Sequence, residues 1–300
     1  MREFGLWLSA VRPRTLVLAF ASVLTGLALA APAGGINWLT ASLTVLTALL
    51  LQVLSNLAND YGDSLHGLDG TARTGPVRAV QGGQVTLAQM RRAAILSALL
   101  AAAAGLVLVR LALGQSGLLL LSTFLLLGGA AIWAAIAYTA TAKPYGYAGL
   151  GDVMVFAFFG PVAVAGTHFL QVGVFDAAVL LPGAASGLLA TAVLNINNIR
   201  DLEGDRSSGK LSVPVRLGPA RARQYHGALL AAAVTASLVY VLLNYSAPVQ
   251  LLFLLAVPLL AANLRAVCNL HAARLDPMLK QLAISTLIYS VLFAAGHVLA

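Results

Sequence analysis

Nine apolar runs follow one another along the chain, at about 16–32, 37–58, 92–112, 116–140, 152–172, 177–199, 223–244, 247–267 and 280–299. Each is close to the roughly 17–25 residues that an α-helix needs to cross a bilayer. Backbone in hydrocarbon must satisfy its own hydrogen bonds, so runs of this length fold there as helices. The expected fold class is all-α, a polytopic membrane protein of about nine transmembrane helices. A content of 60% hydrophobic and 9% charged residues over 300 positions is too apolar for a soluble chain. A single integral-membrane domain over 1–300 is expected. Its connections are short except at 59–91 and 200–222.

The basic residues give an orientation. With a cytoplasmic N-terminus, only Arg110 of the 18 Lys and Arg falls on the outer side. That asymmetry follows the positive-inside rule and predicts N-terminus in, C-terminus out, across an inner (plasma) membrane. The net charge of +8 is thus a topology signal. Nucleic-acid binding would need a basic soluble module, and the sequence has none. Cys268 is alone, which excludes an intramolecular disulfide and a cysteine metal site. Residues 1–15, with Trp7, Arg12, Pro13 and Arg14, read as an interfacial lead-in to the first helix, with no cleaved signal.

Against this background two acidic patches stand out, Asn56-Leu-Ala-Asn59-Asp60-Tyr-Gly-Asp63 continuing to Asp69, and Asn197-Asn198-Ile-Arg200-Asp201-Leu-Glu203-Gly-Asp205. Each ends an apolar run and opens one of the two long loops. Carboxylates near lipid are costly and mark function by default. Gln52, Asn56, Asn59, Asp60 and Asp63 recur at helical spacing and share a stripe; Asn197, Asp201 and Asp205 do the same. Facing each other, the two stripes would repel unless cations lay between them. Hard oxygen donors in this number suit Mg²⁺, which commonly carries phosphate with it. The alternative is a pair of solvated helix caps or salt bridges to loop arginines.

Arg73, Arg78, Lys143, Arg200, Arg206 and Lys210 lie in cytoplasmic loops near these patches and suit a diphosphate leaving group. Positive-inside bias would also put them there. Lys143, Arg78 and Lys210 are the stronger candidates. Gly204 to Leu211 nearly matches a phosphate-binding P-loop, but Leu211 replaces the required Ser or Thr and no strand precedes it. Tyr138, Tyr145, Tyr147, Phe156, Phe158 and Phe159 surround the fourth-to-fifth connection. They read mainly as packing, although aromatic faces also stabilise cations. His66 reads as a loop histidine. Arg73-Thr-Gly-Pro-Val-Arg78 and Arg206-Ser-Ser-Gly-Lys210 after the two patches form a weak internal echo.

Taken together, these motifs resemble the UbiA superfamily of intramembrane aromatic prenyltransferases. That family carries N-D-x-x-D-x-x-x-D after the second helix and D-x-x-x-D after the sixth, here Asn59-Asp60-Tyr-Gly-Asp63 and Asp201-Leu-Glu-Gly-Asp205. Position 67 departs from the pattern: it is Gly67, and the next acid is Asp69. Further segments are similar to its naphthoate branch: Trp7 to Thr15, Gly75-Pro-Val-Arg78, Tyr138-Thr-Ala-Thr-Ala-Lys-Pro144 and Phe158-Phe-Gly-Pro161. The resemblance implies a UbiA-type helix bundle with Mg²⁺ as cofactor, and a polyprenyl diphosphate and 1,4-dihydroxy-2-naphthoate as substrates. It implies metal ligands Asn59, Asp60, Asp63, Asp201 and Asp205, with Asp60 in support, and a catalytic set of Asp60, Asp63, Asp201, Asp205 and Lys143. It implies substrate contacts at Asn56, Asp69, Arg78, Tyr138, Asn197, Arg200 and Lys210. The rivals are a sister prenyltransferase with another aromatic acceptor and a transporter. A transporter would place its acids near the bilayer midplane, whereas these sit at helix ends.

Overall fold

The computed structural model describes residues 2–66 and 79–300, with side chains from residue 5. Among these residues there is helix and no strand. A short helix α1 (Arg2–Val11) precedes α2 (Pro13–Ala30), α3 (Trp38–Leu65), α4 (Leu87–Leu113) and α5 (Leu118–Ala137). The fifth span is broken into α6 (Gly151–Ala157) and α7 (Ala163–Val172). Then come α8 (Leu180–Arg200), the short α9 (Leu202–Ser207) and α10 (Val213–Leu217), and α11 (Pro219–Leu243), α12 (Val257–Asn269) and α13 (Asp276–Val298). A 3-10 stretch, Pro248–Ala256, leads into α12 and completes its crossing. Among the described residues nine helical segments are long and apolar enough to span a membrane.

These spans match the nine apolar runs, with two differences at the acidic end. Helix α3 continues through the first patch to Leu65, and α4 already begins at Leu87. Hydropathy ends where the polar stripe begins, but the backbone stays helical. Thr86 starts α4 because its hydroxyl accepts from the Gln89 backbone N–H while the Gln89 side chain accepts from the Thr86 N–H. The 200–222 connection is likewise mostly helical, holding α9 and α10.

Helix α8 is the most buried span and α5 the least. Leu118, Leu119, Leu126 and Trp133 on α5 point outward, as expected of a helix facing lipid. Close approach within the bundle rests on glycine. At Gly160, ahead of Pro161, the backbone leaves helical geometry (φ −100°, ψ −108°). A Cβ there would lie 2.6 Å from the Gly183 carbonyl oxygen of α8, and one at Gly187 would lie 2.4 Å from that of Phe156. The kink lets the fifth span meet α8 backbone to backbone. Buried amides stitch the other side: His226 Nε2 lies 3.0 Å from Asn263 Oδ1, Asn263 donates to the Met278 carbonyl at 3.1 Å, and Gln281 donates to the Leu259 carbonyl at 3.0 Å. Such bonds are worth about 0.6 kcal/mol each in a membrane interior.

The α1–α2 junction is a sharp corner that a side-chain amide of α3 clamps. Arg12 sits in the left-handed region (φ 53°, ψ 72°) directly before Pro13, a position where pyrrolidine disfavours the right-handed helix. Asn56 of α3 donates to the Val11 carbonyl at 2.7 Å and to Thr15 Oγ1 at 2.9 Å, and accepts from Gln52 at 3.1 Å. Asn56→Ala removes this clamp from a buried site. The expected cost is about 1–3 kcal/mol for stranding the Val11 carbonyl, read as a lower unfolding midpoint in detergent.

Candidate active site

The two acidic patches come together. Helix α3 presents Asn59 and Asp63, and the α8–α9 bend presents Asn197, Asp201 and Asp205, to one cavity of about 770 Å³. The bend falls on Asp201, whose backbone N–H still bonds the Asn197 carbonyl at 3.1 Å. The Asp205 N–H bonds the Asp201 carbonyl at 2.8 Å. The four-residue spacing therefore survives the break between helices. From this end the cavity runs along α3 as far as Thr44, 19 positions before Asp63, or about 28 Å at 1.5 Å per residue. Its deep part is apolar, lined by Ala101, Gly105, Phe124, Gly128, Phe158 and Leu170. One pocket thus offers an acidic mouth and a long apolar interior.

Asp60 departs from the expected stripe. At about 100° per residue, positions 52, 56, 59 and 63 cluster within about 60°, while position 60 lies a further 40° round the helix. Its carboxylate is 2% exposed, ion-paired with Arg12, and absent from the cavity wall. Asn56 lines the cavity, but its side-chain amide is spent on the α1–α2 corner. Arg200 is buried and holds Asp201, Asn197 and Asp276. Lys143 is exposed on the α5–α6 loop and is not on the cavity wall, while Pro144 beside it is buried. Asp69, Arg73 and Arg78 lie outside the described residues.

Two loops complete the mouth. The Leu211 N–H bonds the Tyr147 carbonyl at 2.9 Å, and Arg216 donates to the Ala148 carbonyl at 2.6 Å. That lacing sets Tyr147 to donate to Asp63 Oδ1 at 3.2 Å and brings Lys210 Nζ to 3.3 Å from Asp205 Oδ1. Gly62 permits the fit, since a Cβ there would lie 2.4 Å from the Thr139 backbone, and Thr139 Oγ1 donates to the Ala58 carbonyl at 3.2 Å. Burial pushes the Asp205 carboxyl above its ordinary value, with Lys210 opposing and Asp201 adding to the rise. Burial likewise raises the Tyr138 hydroxyl, against the pull of Lys210. Tyr138 on the cavity wall therefore stays a neutral donor.

Among the described residues no three Asp, Glu, His or Cys side chains converge into a closed cation cage. The oxygen donors stand instead on separate walls of one cavity. That arrangement fits Mg²⁺ carried with a diphosphate, because Mg²⁺ keeps waters and takes a few carboxylates plus substrate phosphates. Thiolate metals and an all-protein Ca²⁺ site do not fit this donor set. Arg12, Arg14 and Tyr147 are the site residues that the motif reading left aside. The Trp7 to Thr15 segment was the available signal for the two arginines.

Comparison with known proteins accords with this geometry. The chain is 45% identical to 1,4-dihydroxy-2-naphthoate octaprenyltransferase of Escherichia coli (strain K12), over 97% of this chain and 94% of that one. It is 38% identical to the protein of the same description from Mycobacterium tuberculosis (strain ATCC 25618 / H37Rv), over 99% and 98%. Among solved structures it is similar to the apo structure of a UbiA homolog from Aeropyrum pernix K1, with a TM-score of 0.70, 20% identity and coverage of 96% and 98%. It is also similar to a UbiA homolog from Archaeoglobus fulgidus bound to DMAPP and Mg²⁺, with a TM-score of 0.60, 16% identity and coverage of 96% and 99%. The model of the UbiA prenyltransferase family matches residues 19–294, and the chain, a multi-pass membrane prenyltransferase, belongs to that family.

Proposed function

We propose that this protein transfers a polyprenyl group from polyprenyl diphosphate to 1,4-dihydroxy-2-naphthoate, releasing diphosphate and CO₂ and forming a demethylmenaquinol, the hydroquinone of demethylmenaquinone. The observation that carries the reading is a single cavity with carboxylates at its mouth and an apolar interior, in a chain whose near-full-length relatives bear that activity in their names. Asn59 and Asp63 on one wall, with Asp201 and Asp205 on the other, would hold Mg²⁺. When bound, Mg²⁺ supplies the divalent charge that neutralises a departing diphosphate.

The chain's own residues do the rest. Lys210, and Arg12 and Arg14 at the start of α2, line the same mouth and add positive charge for the diphosphate oxygens. The prenyl tail lies along Gly105, Gly128 and Phe158. The allylic C–O bond breaks and its electron pair leaves with the diphosphate. A ring carbon of the naphthoate then attacks the allylic carbon, and the carboxyl group at that position departs as CO₂. The Tyr138 hydroxyl stays protonated and is available to orient the acceptor by donation. The apolar walls keep water from the cation. By the positive-inside argument the mouth opens to the cytoplasm, with the N-terminus on that side of the plasma membrane and the C-terminus opposite.

Purified protein with Mg²⁺, a long-chain prenyl diphosphate and 1,4-dihydroxy-2-naphthoate should yield prenylated product and diphosphate, and EDTA should stop both. Turnover with 4-hydroxybenzoate alone would move the acceptor assignment to a sister reaction. Asp63→Ala and Asp201→Ala are each expected to lower kcat/KM by at least about 10³, or about 4 kcal/mol, while the protein still inserts and unfolds cooperatively. Full activity in either would remove the metal assignment. The rate should fall with acid as Asp205 takes up its proton, at a higher pH than for an ordinary carboxylate. Cation and proton compete for the same oxygens, so raising Mg²⁺ should move that limb to lower pH. A limb indifferent to Mg²⁺ would count against Asp205 as a ligand.

A further inference from the structure

Arg200 is the only charged residue of α8, and its side chain is 1% exposed. Every guanidinium nitrogen is committed. Nε and Nη2 grip the two Asp201 oxygens at 3.0 and 2.7 Å, and Nη2 also reaches Asn197 Oδ1 at 2.9 Å. Nη1 donates to Asp276, the first residue of α13 and 76 positions away. Asp276 in turn accepts from Arg14 Nη1 at 3.2 Å on each oxygen. One carboxylate thereby joins the start of α2, the end of α8 and the start of α13. Two cations and two anions balance in this chain of contacts.

We infer that Asp276 is a positioning residue for the second acidic motif, acting through Arg200 to keep Asp201 oriented and able to accept a divalent cation. Without Asp276, Nη1 of Arg200 loses its partner and a buried positive charge is left in excess. That charge would settle on Asp201, already held bidentately, and compete with the cation for the same oxygens. With Asp276 present, Arg200 is shared between two carboxylates, and the negative charge of Asp276 offsets part of its pull on Asp201. Partners one step beyond a metal ligand commonly set both its direction and its basicity. The sequence hides this role, because Asp276 follows an ordinary loop and belongs to neither motif.

The inference rests on Asp201 being a metal ligand, so the test carries its own control. Mn²⁺ binding to the purified protein is measured by electron paramagnetic resonance, alongside the apparent KM for Mg²⁺ and kcat. Asp201→Asn should lose Mn²⁺ binding at the site. Asp276→Asn should weaken Mn²⁺ and raise the Mg²⁺ KM by about tenfold, with kcat at saturating Mg²⁺ within about twofold. Undisturbed Mn²⁺ affinity in folded Asp276→Asn, with Asp201→Asn defective, would overturn the role of Asp276 and leave the metal site standing. Undisturbed affinity in Asp201→Asn would overturn both. If Asp276→Asn does not fold, Asp276→Glu keeps the charge and displaces Arg200 by one methylene. It should weaken Mn²⁺ by at least about threefold, and an unchanged value there would overturn the inference.

Discussion

Carboxylates crowded at one end of an apolar bundle must find opposite charge, and the rest of the site is arranged around that demand. Desolvated acids repel each other strongly where the effective dielectric is low. Each of the buried or half-buried acids at this end therefore has a cation or donor assigned to it. Asp60 takes Arg12, Asp201 takes Arg200, Asp205 takes Lys210 and Asp63 takes the Tyr147 hydroxyl. The partners come from α1–α2, α8, and the loops after α5 and α9, so charge pairing is also what fixes these pieces around the mouth.

Backbone proximity makes the pairing possible. The loop after α5 reaches Asp63 because Gly62 lets the Thr139 backbone press against α3, and α8 lies close beside the fifth span because Gly160 and Gly187 leave no side chains between them. In water, burial of apolar area could draw these helices together. In lipid that force is absent between helices, and van der Waals contact at small residues replaces it. The kink at Gly160 and the tightness at Gly62 are thus parts of the same device, one setting the depth of the cavity wall and the other the shape of its mouth.

Much of this was legible from the residues. Apolar run length gave the nine crossings, because hydrogen-bond satisfaction in lipid leaves one solution. The two acidic patches pointed to a shared site over the alternative of helix caps or salt bridges, and residues of both line one cavity. What stayed hidden was pairing across distance. Asp60 sits only 40° off its stripe by helical geometry, yet that rotation sends it to Arg12 and off the cavity wall. For Asn56 the resemblance implied a substrate contact, and the α1–α2 corner that takes up its amide depends on a left-handed residue that no motif announces. Lys143 carried the right charge, but it stands exposed and off the cavity wall, a direction that charge and loop position do not show. The first patch shows its helical spacing in the residues, yet an apolar run ending at 58 hides that α3 continues to Leu65: hydropathy reports where lipid ends, and helices obey their own hydrogen bonds beyond it.

The same pairings describe how the site must change when a substrate arrives. In the structure, Lys210 and Arg200 occupy carboxylate oxygens that a cation would claim. A diphosphate entering with Mg²⁺ brings oxygens of its own for those cations. Lys210 can then move from Asp205 to phosphate without leaving a charge unpaired, because its flexible stem allows the shift. Arg200 has no such freedom, since its side chain is sealed and its fork is fully used. The two basic residues beside the second motif therefore divide the work: one exchanges partners as ligand binds, and the other holds the carboxylate that stays.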